Sequence, residues 1–191
     1  MKLVILDRDG TINEESAELV DSPEAWRPLP GALEAIARLN HAGWHVVIAS
    51  NQAGLGRGLF EVAMLNAIQA KMHKMLAGVG GRVDAVFYCP HTPDEGCHCR
   101  KPAPGLFEQI GERFGVELKG TPAVGDSVDD LLAGVAAGCE PHLVLTGRGA
   151  AYRGRILTDD FPAGTRVHQD LAAFAEFQVT RPLTVKTSSG Q

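Results

Sequence analysis

The sequence predicts an α/β fold: a Rossmann-like, mostly parallel sheet with helices on both faces. Short apolar runs recur along the 191 residues and stop abruptly at Asp, Ser, Cys, Gly or Thr. Strands that are buried on both faces of a sheet have this pattern. The segments between the runs carry apolar residues at helical spacing. Because strand and helix alternate throughout, a parallel sheet covered by helices is expected.

The first predicted strand, residues 3–6, stops at the tetrapeptide Asp7-Arg8-Asp9-Gly10. Four further predicted strands occupy residues 46–49, 85–88, 122–124 and 143–145. Four helices are predicted between these strands, because the intervening segments place residues at helical spacing on one face. The residues of these faces are Leu33, Ile36, Ala37 and Asn40 in the first helix; Val62, Leu65, Ile68, Met72, Met75 and Leu76 in the second; Phe107, Ile110 and Phe114 in the third; and Leu131, Leu132, Val135 and Ala136 in the fourth. We expect Met64, Met72 and Met75 to lie in the core, and Cys139 to be a small buried side chain.

Length and composition are those of one domain, predicted at residues 1–179, followed by a polar tail at 180–191. Lys and Arg number 18 against 23 Asp and Glu, and this net charge of −5 argues against nucleic acid or an anionic membrane as the main partner. The apolar runs are too short to span a bilayer, and charged residues interrupt the N-terminal run that a signal peptide would need. We therefore expect a cytoplasmic protein, and a monomer because no large exposed apolar stripe is evident.

Polar residues follow the predicted strands at the edge where a parallel sheet binds its ligand. The cluster expected there consists of Asp7, Asp9, Ser50, Lys101 and Asp126. Gly10 permits the turn that would bring Asp7 and Asp9 to one pocket. With Asp126 they make an all-oxygen set that suits Mg²⁺. Without a metal the three carboxylates would repel one another, and some would hold protons.

A second cluster lies on one predicted loop, residues 89–100. Three thiols and an imidazole this close, in a protein expected in the reducing cytosol, favour zinc over disulfides. The expected ligands form a closed tetrahedral Cys₃His site and are Cys89, His91, Cys97 and Cys99. His98 is a competing ligand, but a residue between two chelating cysteines usually points away. Because the loop runs directly into Arg100 and Lys101, we interpret the zinc as structural and as positioning those two side chains.

The motifs resemble those of the haloacid dehalogenase (HAD) superfamily of phosphatases. Residues 7–11 (Asp-Arg-Asp-Gly-Thr) resemble its first motif, Ser50 its second, Lys101 its third, and Gly125-Asp126 with Asp130 its fourth. The resemblance implies that Ser50 and Lys101 bind phosphoryl oxygens. Asp130 is expected to orient water or Lys101 rather than to bind the metal.

The same resemblance gives the first two aspartates separate roles. It implies that Asp7 is the nucleophile that becomes an aspartyl phosphate, and that Asp9 is the general acid and base. It also implies that Asp7, the main-chain carbonyl of Asp9, and Asp126 hold Mg²⁺, which allows a carboxylate to approach a phosphate.

The cysteine loop, together with residues 50–58 and 101–105, resembles the histidinol-phosphatase and heptose-bisphosphatase branch of this superfamily. The branch implies a capless enzyme, and residues 11–30 are too few for an inserted domain. It implies action on a heptose bisphosphate in nucleotide-heptose (lipopolysaccharide core) biosynthesis. Histidinol phosphate remains the alternative, favoured by the short gap between His91 and Cys97 and suited by the acidic Glu15 and Glu18. The implied substrate contacts are Glu15, Ser16, Ala17, Glu18, Asn51, Gln52, Ala53, Arg57, Arg100 and Ser127.

A bisphosphate requires a second cationic position in the pocket. Arg100 suits it because a guanidinium binds two oxygens at once, and Arg57 is the other candidate. Ser127 stands where heptose enzymes often carry a lysine, which removes one cation. Two other classes are disfavoured: a zinc-stabilised nucleic-acid end-processing module by the acidic net charge, and a non-catalytic binding domain by the presence of both Asp7 and Asp9.

Overall fold

The computed structural model describes residues 1–15 and 19–181, which form one six-stranded sheet. Its strands are β1 (Leu3–Leu6), β2 (His45–Asn51), β3 (Ala85–Cys89), β4 (Pro122–Gly125), β5 (Glu140–Val144) and β6 (Arg166–His168). Every pairing is parallel, and the order across the sheet is β3-β2-β1-β4-β5-β6. All the carboxyl ends therefore meet along one edge.

The α-helices are α1 (Ala32–His41), α2 (Ala53–Gly56), α3 (Val62–Gly78), α4 (Gly105–Phe114), α5 (Val128–Ala136) and α6 (Leu171–Thr180). Two 3₁₀ segments, Pro93–Glu95 and Gly147–Tyr152, lie in loops. None of the described helices is long and apolar enough to cross a membrane. Of the described residues between β1 and α1, none belongs to a helix or to a strand of the sheet.

The central strands β1, β2 and β4 are buried on both faces, as the apolar runs predict. Val4 and Leu6 of β1 pack into one cluster with α1, α3 and α6, whereas Leu3 and Ile5 pack into a second cluster with α4. Alternate side chains of a strand point to opposite faces, so β1, β2 and β4 each contribute to both clusters. This arrangement confirms the predicted α/β class.

Three predictions about the elements need correction. The last predicted strand, 143–145, is β5 and begins earlier, because Glu140 to Leu143 pair in register with β4. Strand β6 and helix α6 were not expected. The predicted core residues Met64 and Met75 are 39% and 36% exposed, while Met72 is fully buried. The buried stripe of α3 consists of Leu65, Ile68, Met72 and Leu76.

Helix α6 ends at Thr180, so the predicted tail begins one residue inside a helix. The following residue, Arg181, is 2.8 Å from Glu140 across the sheet edge. Residues 182–191 lie outside the described part of the chain.

Candidate active site

A cavity of about 460 Å³ opens beyond the carboxyl ends of β1, β2 and β4. The predicted site residues that line it are Asp7, Asp9, Glu15, Asn51, Gln52, Ala53, Arg57, Arg100, Lys101, Asp126 and Ser127. Ser50 lies behind this wall: it is buried, and its Oγ is 2.7 Å from Gln52 Nε2. The predicted contacts Ser16, Ala17 and Glu18 fall outside the described residues.

Three carboxylates converge on the floor of the cavity. Asp7 follows β1, Asp126 follows β4, and Asp130 lies in the first turn of α5. One oxygen of each lies within 4.8 Å of the others. The Asp126 carboxylate packs directly against the main chain of Gly10. Gly10 has a φ of 87°, and a Cβ at this residue would collide with the Asp126 carboxylate. Glycine is therefore required here for both conformation and space.

Lys101 provides the positive charge of this floor. Its Nζ lies 2.7 Å from Asp7 Oδ1 and 2.6 Å from Asp130 Oδ1, and it donates to the main-chain oxygen of Ala49 at 2.8 Å. The side chain is only 2% exposed. The amide of Asn51 bonds both the N–H and the C=O of Lys101, at 3.0 and 3.1 Å. Asn51 thus fixes the loop that carries the lysine.

Asp130 faces Lys101, as expected, and it also caps its own helix. Its Oδ2 accepts hydrogen bonds from the main-chain N–H and the hydroxyl of Ser127, at 3.1 and 2.8 Å. Ser127 is therefore the N-cap of α5, although it also reaches the cavity wall.

The carboxylates hold more negative charge than Lys101 balances. Burial, then the charge of Asp130, raises the pKa of Asp7 to about 7, although Lys101 opposes this shift. Burial, then the charges of Asp7 and Asp130, raises the pKa of Asp126 to about 9. A divalent cation among these oxygens would ionise them, and an all-oxygen donor set is what Mg²⁺ prefers. The residues present therefore fit the predicted metal.

Asp9 is held by Arg8 and Asn13, which the sequence analysis missed, and by Gln52, which it predicted as a substrate contact. Arg8 donates two hydrogen bonds to its carboxylate, at 3.0 and 3.1 Å. Asn13 and Gln52 donate one each, at 2.9 and 3.1 Å. Arg8 lies between Asp7 and Asp9 in the sequence, but nothing in the sequence indicates that its side chain is buried. These donors keep the Asp9 carboxyl at the cavity wall.

The cysteine cluster forms beside the cavity as predicted. The Sγ atom of Cys89 lies 3.6 Å from that of Cys97 and 3.0 Å from that of Cys99, and His91 Nδ1 lies 3.4 Å from Cys89. Thiolates on one zinc ion stand about 3.8 Å apart, given Zn–S bonds of about 2.3 Å. The four side chains are therefore spaced closely enough to hold zinc.

His98, the competing ligand, points away from the cluster and pairs with Glu108 at 2.7 Å. Arg100 connects the cluster to the cavity, because its Nη1 donates to the main-chain oxygen of His91 at 3.4 Å and its side chain lines the wall. Burial, then a hydrogen bond with Cys99, raises the pKa of the Cys89 thiol to about 12. Zinc binding would remove that proton.

Arg148 is a further wall residue that the sequence analysis missed. It follows β5, its main-chain N–H donates to Asp126 Oδ2 at 2.8 Å, and its Nε donates to Glu15 Oε1 at 2.8 Å. No motif marked it, because only the fold brings residue 148 next to residue 15.

The chain is similar to known phosphatases over most of its length. The HAD-hydrolase-like family model matches residues 98–174. The D-glycero-beta-D-manno-heptose-1,7-bisphosphate 7-phosphatase of Bordetella bronchiseptica is 57% identical over 92% of this chain and 97% of its own. The enzyme of the same name from Pseudomonas aeruginosa is 49% identical over 91% of this chain and 95% of its own.

A solved structure matches as well. The crystal structure of D,D-heptose 1,7-bisphosphate phosphatase from B. bronchiseptica, complexed with magnesium and phosphate, superposes with a TM-score of 0.89 at 56% identity. The match covers 94% of this chain and 98% of that one.

Proposed function

Because the chain belongs to the D-glycero-beta-D-manno-heptose-1,7-bisphosphate 7-phosphatase family of HAD-like hydrolases, we propose that it removes the C7 phosphate of D-glycero-D-manno-heptose 1,7-bisphosphate. The reaction would serve nucleotide-heptose biosynthesis. The observation that carries the proposal is the position of Asp7 on the cavity floor, 2.7 Å from the Lys101 ammonium and beside Asp126.

Asp7 is the nucleophile of the proposed reaction. One of its carboxylate oxygens forms a bond to the C7 phosphorus while the bond from phosphorus to the sugar oxygen breaks. The product of this step is an aspartyl phosphate and a heptose alkoxide. Lys101 lies against Asp7, so its ammonium is placed to stabilise the charge on the phosphoryl oxygens.

Asp9 moves the proton in both halves of the reaction. Its carboxyl group first protonates the leaving alkoxide, and the resulting carboxylate then takes a proton from the water that attacks phosphorus. The bond between Asp7 and phosphorus breaks in that second step and releases inorganic phosphate. Asp9 lines the same cavity as Asp7 and is held at the wall by Arg8, Asn13 and Gln52.

Asp7, Asp126 and the main-chain carbonyl of Asp9 would hold Mg²⁺ in this cavity. The ion, when bound, neutralises negative charge so that a carboxylate can approach a phosphate. The excess of carboxylates over Lys101 on the floor supports this part of the proposal.

The test is phosphate release with Mg²⁺ from heptose 1,7-bisphosphate and from histidinol phosphate, side by side. We expect the bisphosphate to be preferred, and Asp7→Asn to lower turnover by at least about 1,000-fold because the nucleophile is lost. Asp159→Asn is the matched control, since Asp159 is exposed and lies outside the cavity. Preference for histidinol phosphate, or turnover by Asp7→Asn at the wild-type rate, would contradict the proposal.

A further inference from the structure

Arg148 lies at the cavity wall without a role in the reaction described above. Its main-chain N–H is bonded to Asp126, so the residue is anchored directly to the carboxylate floor. The preceding Gly147 has a φ of 50°, and a Cβ there would collide with Asp126 and with Gly10. Close packing at residue 147 therefore fixes where the Arg148 side chain leaves the main chain.

The guanidinium of Arg148 already holds an oxyanion. Its Nε donates to Glu15 at 2.8 Å, across 133 positions of sequence. The Arg148 side chain is 67% exposed and that of Glu15 is 29% exposed. Ion pairs exposed to this degree contribute little to stability, so a stronger anion can replace the carboxylate at low cost.

A second phosphate in the cavity would require a cation in addition to Lys101. Lys101 is buried between Asp7 and Asp130 at the floor, where the reacting phosphate binds. Ser127, the N-cap of α5, contributes no charge. A substrate with two phosphates brings a second dianion to the wall, where Arg100 is bonded to the zinc loop. Arginine is the side chain best suited to bind phosphate oxygens through two parallel hydrogen bonds.

We propose that Arg148 binds the second phosphate of the substrate, together with Arg100, and that Glu15 occupies the Arg148 guanidinium until the substrate displaces it. Glu15 is then a competitor of the second phosphate rather than a direct ligand of the sugar. Arg148 is a specificity-determining residue, because a monophosphate lacks the group that it recognises. The inference rests on the proposed function, which supplies the bisphosphate substrate.

The test compares kcat/KM for heptose 1,7-bisphosphate with kcat/KM for p-nitrophenyl phosphate in Arg148→Gln and Glu15→Gln. We expect Arg148→Gln to lower the ratio of the two constants about tenfold, through a higher KM for the bisphosphate, since one charge-assisted contact is lost. Glu15→Gln should raise the ratio, because it frees Arg148. Arg155→Gln, at an exposed arginine outside the cavity, is the matched control.

The two variants are expected to change the ratio of kcat/KM values in opposite directions, which distinguishes phosphate binding by Arg148 from a merely structural ion pair. If the pair only stabilised the loop, both variants would shift both substrates in the same direction, and the inference would be wrong. An unchanged ratio in Arg148→Gln, with wild-type enzyme that hydrolyses the bisphosphate, would overturn the inference alone. Wild-type enzyme without activity on the bisphosphate would overturn the proposed function, and the inference with it.

Discussion

At the scale of single residues, one buried ammonium organises the floor of the cavity. Lys101 touches Asp7 and Asp130, and Asn51 fixes its main chain from both sides. Removing one of these three charged side chains would leave an uncompensated buried charge, so a substitution at Lys101, Asp7 or Asp130 would destabilise the other two. Asp126, in contrast, forms no ion pair with Lys101 Nζ within 4.0 Å among the described residues, and the main-chain N–H of Arg148 donates a hydrogen bond to it.

The close packing at Gly147 leaves no room for a larger residue beside Asp126. Gly147→Ala places a Cβ against the Asp126 carboxylate and should weaken Mg²⁺ activation of phosphate release by about tenfold or more, because the metal ligand has to move. Gly154→Ala is the matched control: its φ of 68° is also positive, but nothing lies within 4 Å of the added atom. Both variants carry a conformational cost of about 1–2 kcal/mol.

The measurement is phosphate release as a function of Mg²⁺ concentration, with thermal unfolding of both variants. Equal Mg²⁺ dependence in the two alanine variants would show that the collision with Asp126 does not affect metal binding, and would contradict this prediction.

The sequence predicted the charged residues of the site better than their partners. Asp7, Asp9, Lys101 and Asp126 follow strand ends or a loop beside them, and parallel strands bring those ends together. Contacts such as the one between Arg148 and Glu15 depend on how the loops fold over the sheet edge. No spacing rule in the sequence encodes that distance.

At the scale of elements, the loop that carries the predicted zinc ligands, residues 89–100, connects β3 to Lys101, whose ammonium contacts Asp7. The segment from Cys89 to Cys99 has only a short 3₁₀ turn, and Arg100 and Lys101 follow at once. An irregular segment of this kind gains order from four ligands on one ion. The position of Lys101 thus depends on a metal site outside the cavity.

Removing zinc should therefore lower both stability and activity. We expect Cys97→Ser to lower the melting temperature by several degrees, in line with a loss of about 2 kcal/mol or more, and to reduce phosphate release. Cys139→Ala is the control, because this thiol is buried away from the cluster between α5 and β5. The measurements are thermal unfolding and zinc content. A Cys97→Ser protein without zinc that melts at the wild-type temperature would contradict the structural role of the metal.

The elements that the sequence did not predict have weak local patterns. Strand β6 has only three residues, of which Arg166 and Val167 are exposed, so no apolar run marks it. Helix α6 carries Ala, Phe and Val around its circumference and has no distinct apolar stripe. Both are recognised through their packing on β5 and α1, which is tertiary information.

At the scale of the whole molecule, the far edge of the sheet contains a buried pair of histidines. His142 Nδ1 lies 2.9 Å from His168 Nε2, with Phe174 and Phe177 packed against both rings. Burial, then the neighbouring His168 and Arg166, lowers the pKa of His142 to about 3. Burial, then Arg166, lowers the pKa of His168 to about 4.

These shifts predict that the fold loses stability in acid when Mg²⁺ keeps the site carboxylates Asp7 and Asp126 ionised, because only the histidine pair then holds fewer protons in the folded than in the unfolded state. The unfolded histidines take up protons near pH 6.5, while the folded ones stay neutral until pH 4 or below. Their contribution is therefore complete above pH 6.5 and declines as the pH falls toward 4, by up to about 1.4 kcal/mol per pH unit for each histidine. Urea unfolding between pH 7.5 and 5, in the presence of Mg²⁺, measures the free energy of unfolding directly.

His168→Gln should flatten this pH dependence, because it removes one of the two groups that titrate on unfolding. His73→Gln, at an exposed histidine of α3, should leave the pH dependence as in wild type. Identical slopes in all three proteins would contradict the assignment to the buried pair.

Phosphorus NMR of heptose 1,7-bisphosphate during incubation with enzyme and Mg²⁺ tests most directly whether Asp7 removes the C7 phosphate. We expect the C7 phosphate signal to be replaced by that of inorganic phosphate, the C1 phosphate signal to persist, and Asp7→Asn to leave both signals unchanged. Loss of the C1 phosphate, or turnover by Asp7→Asn at the wild-type rate, would contradict this expectation.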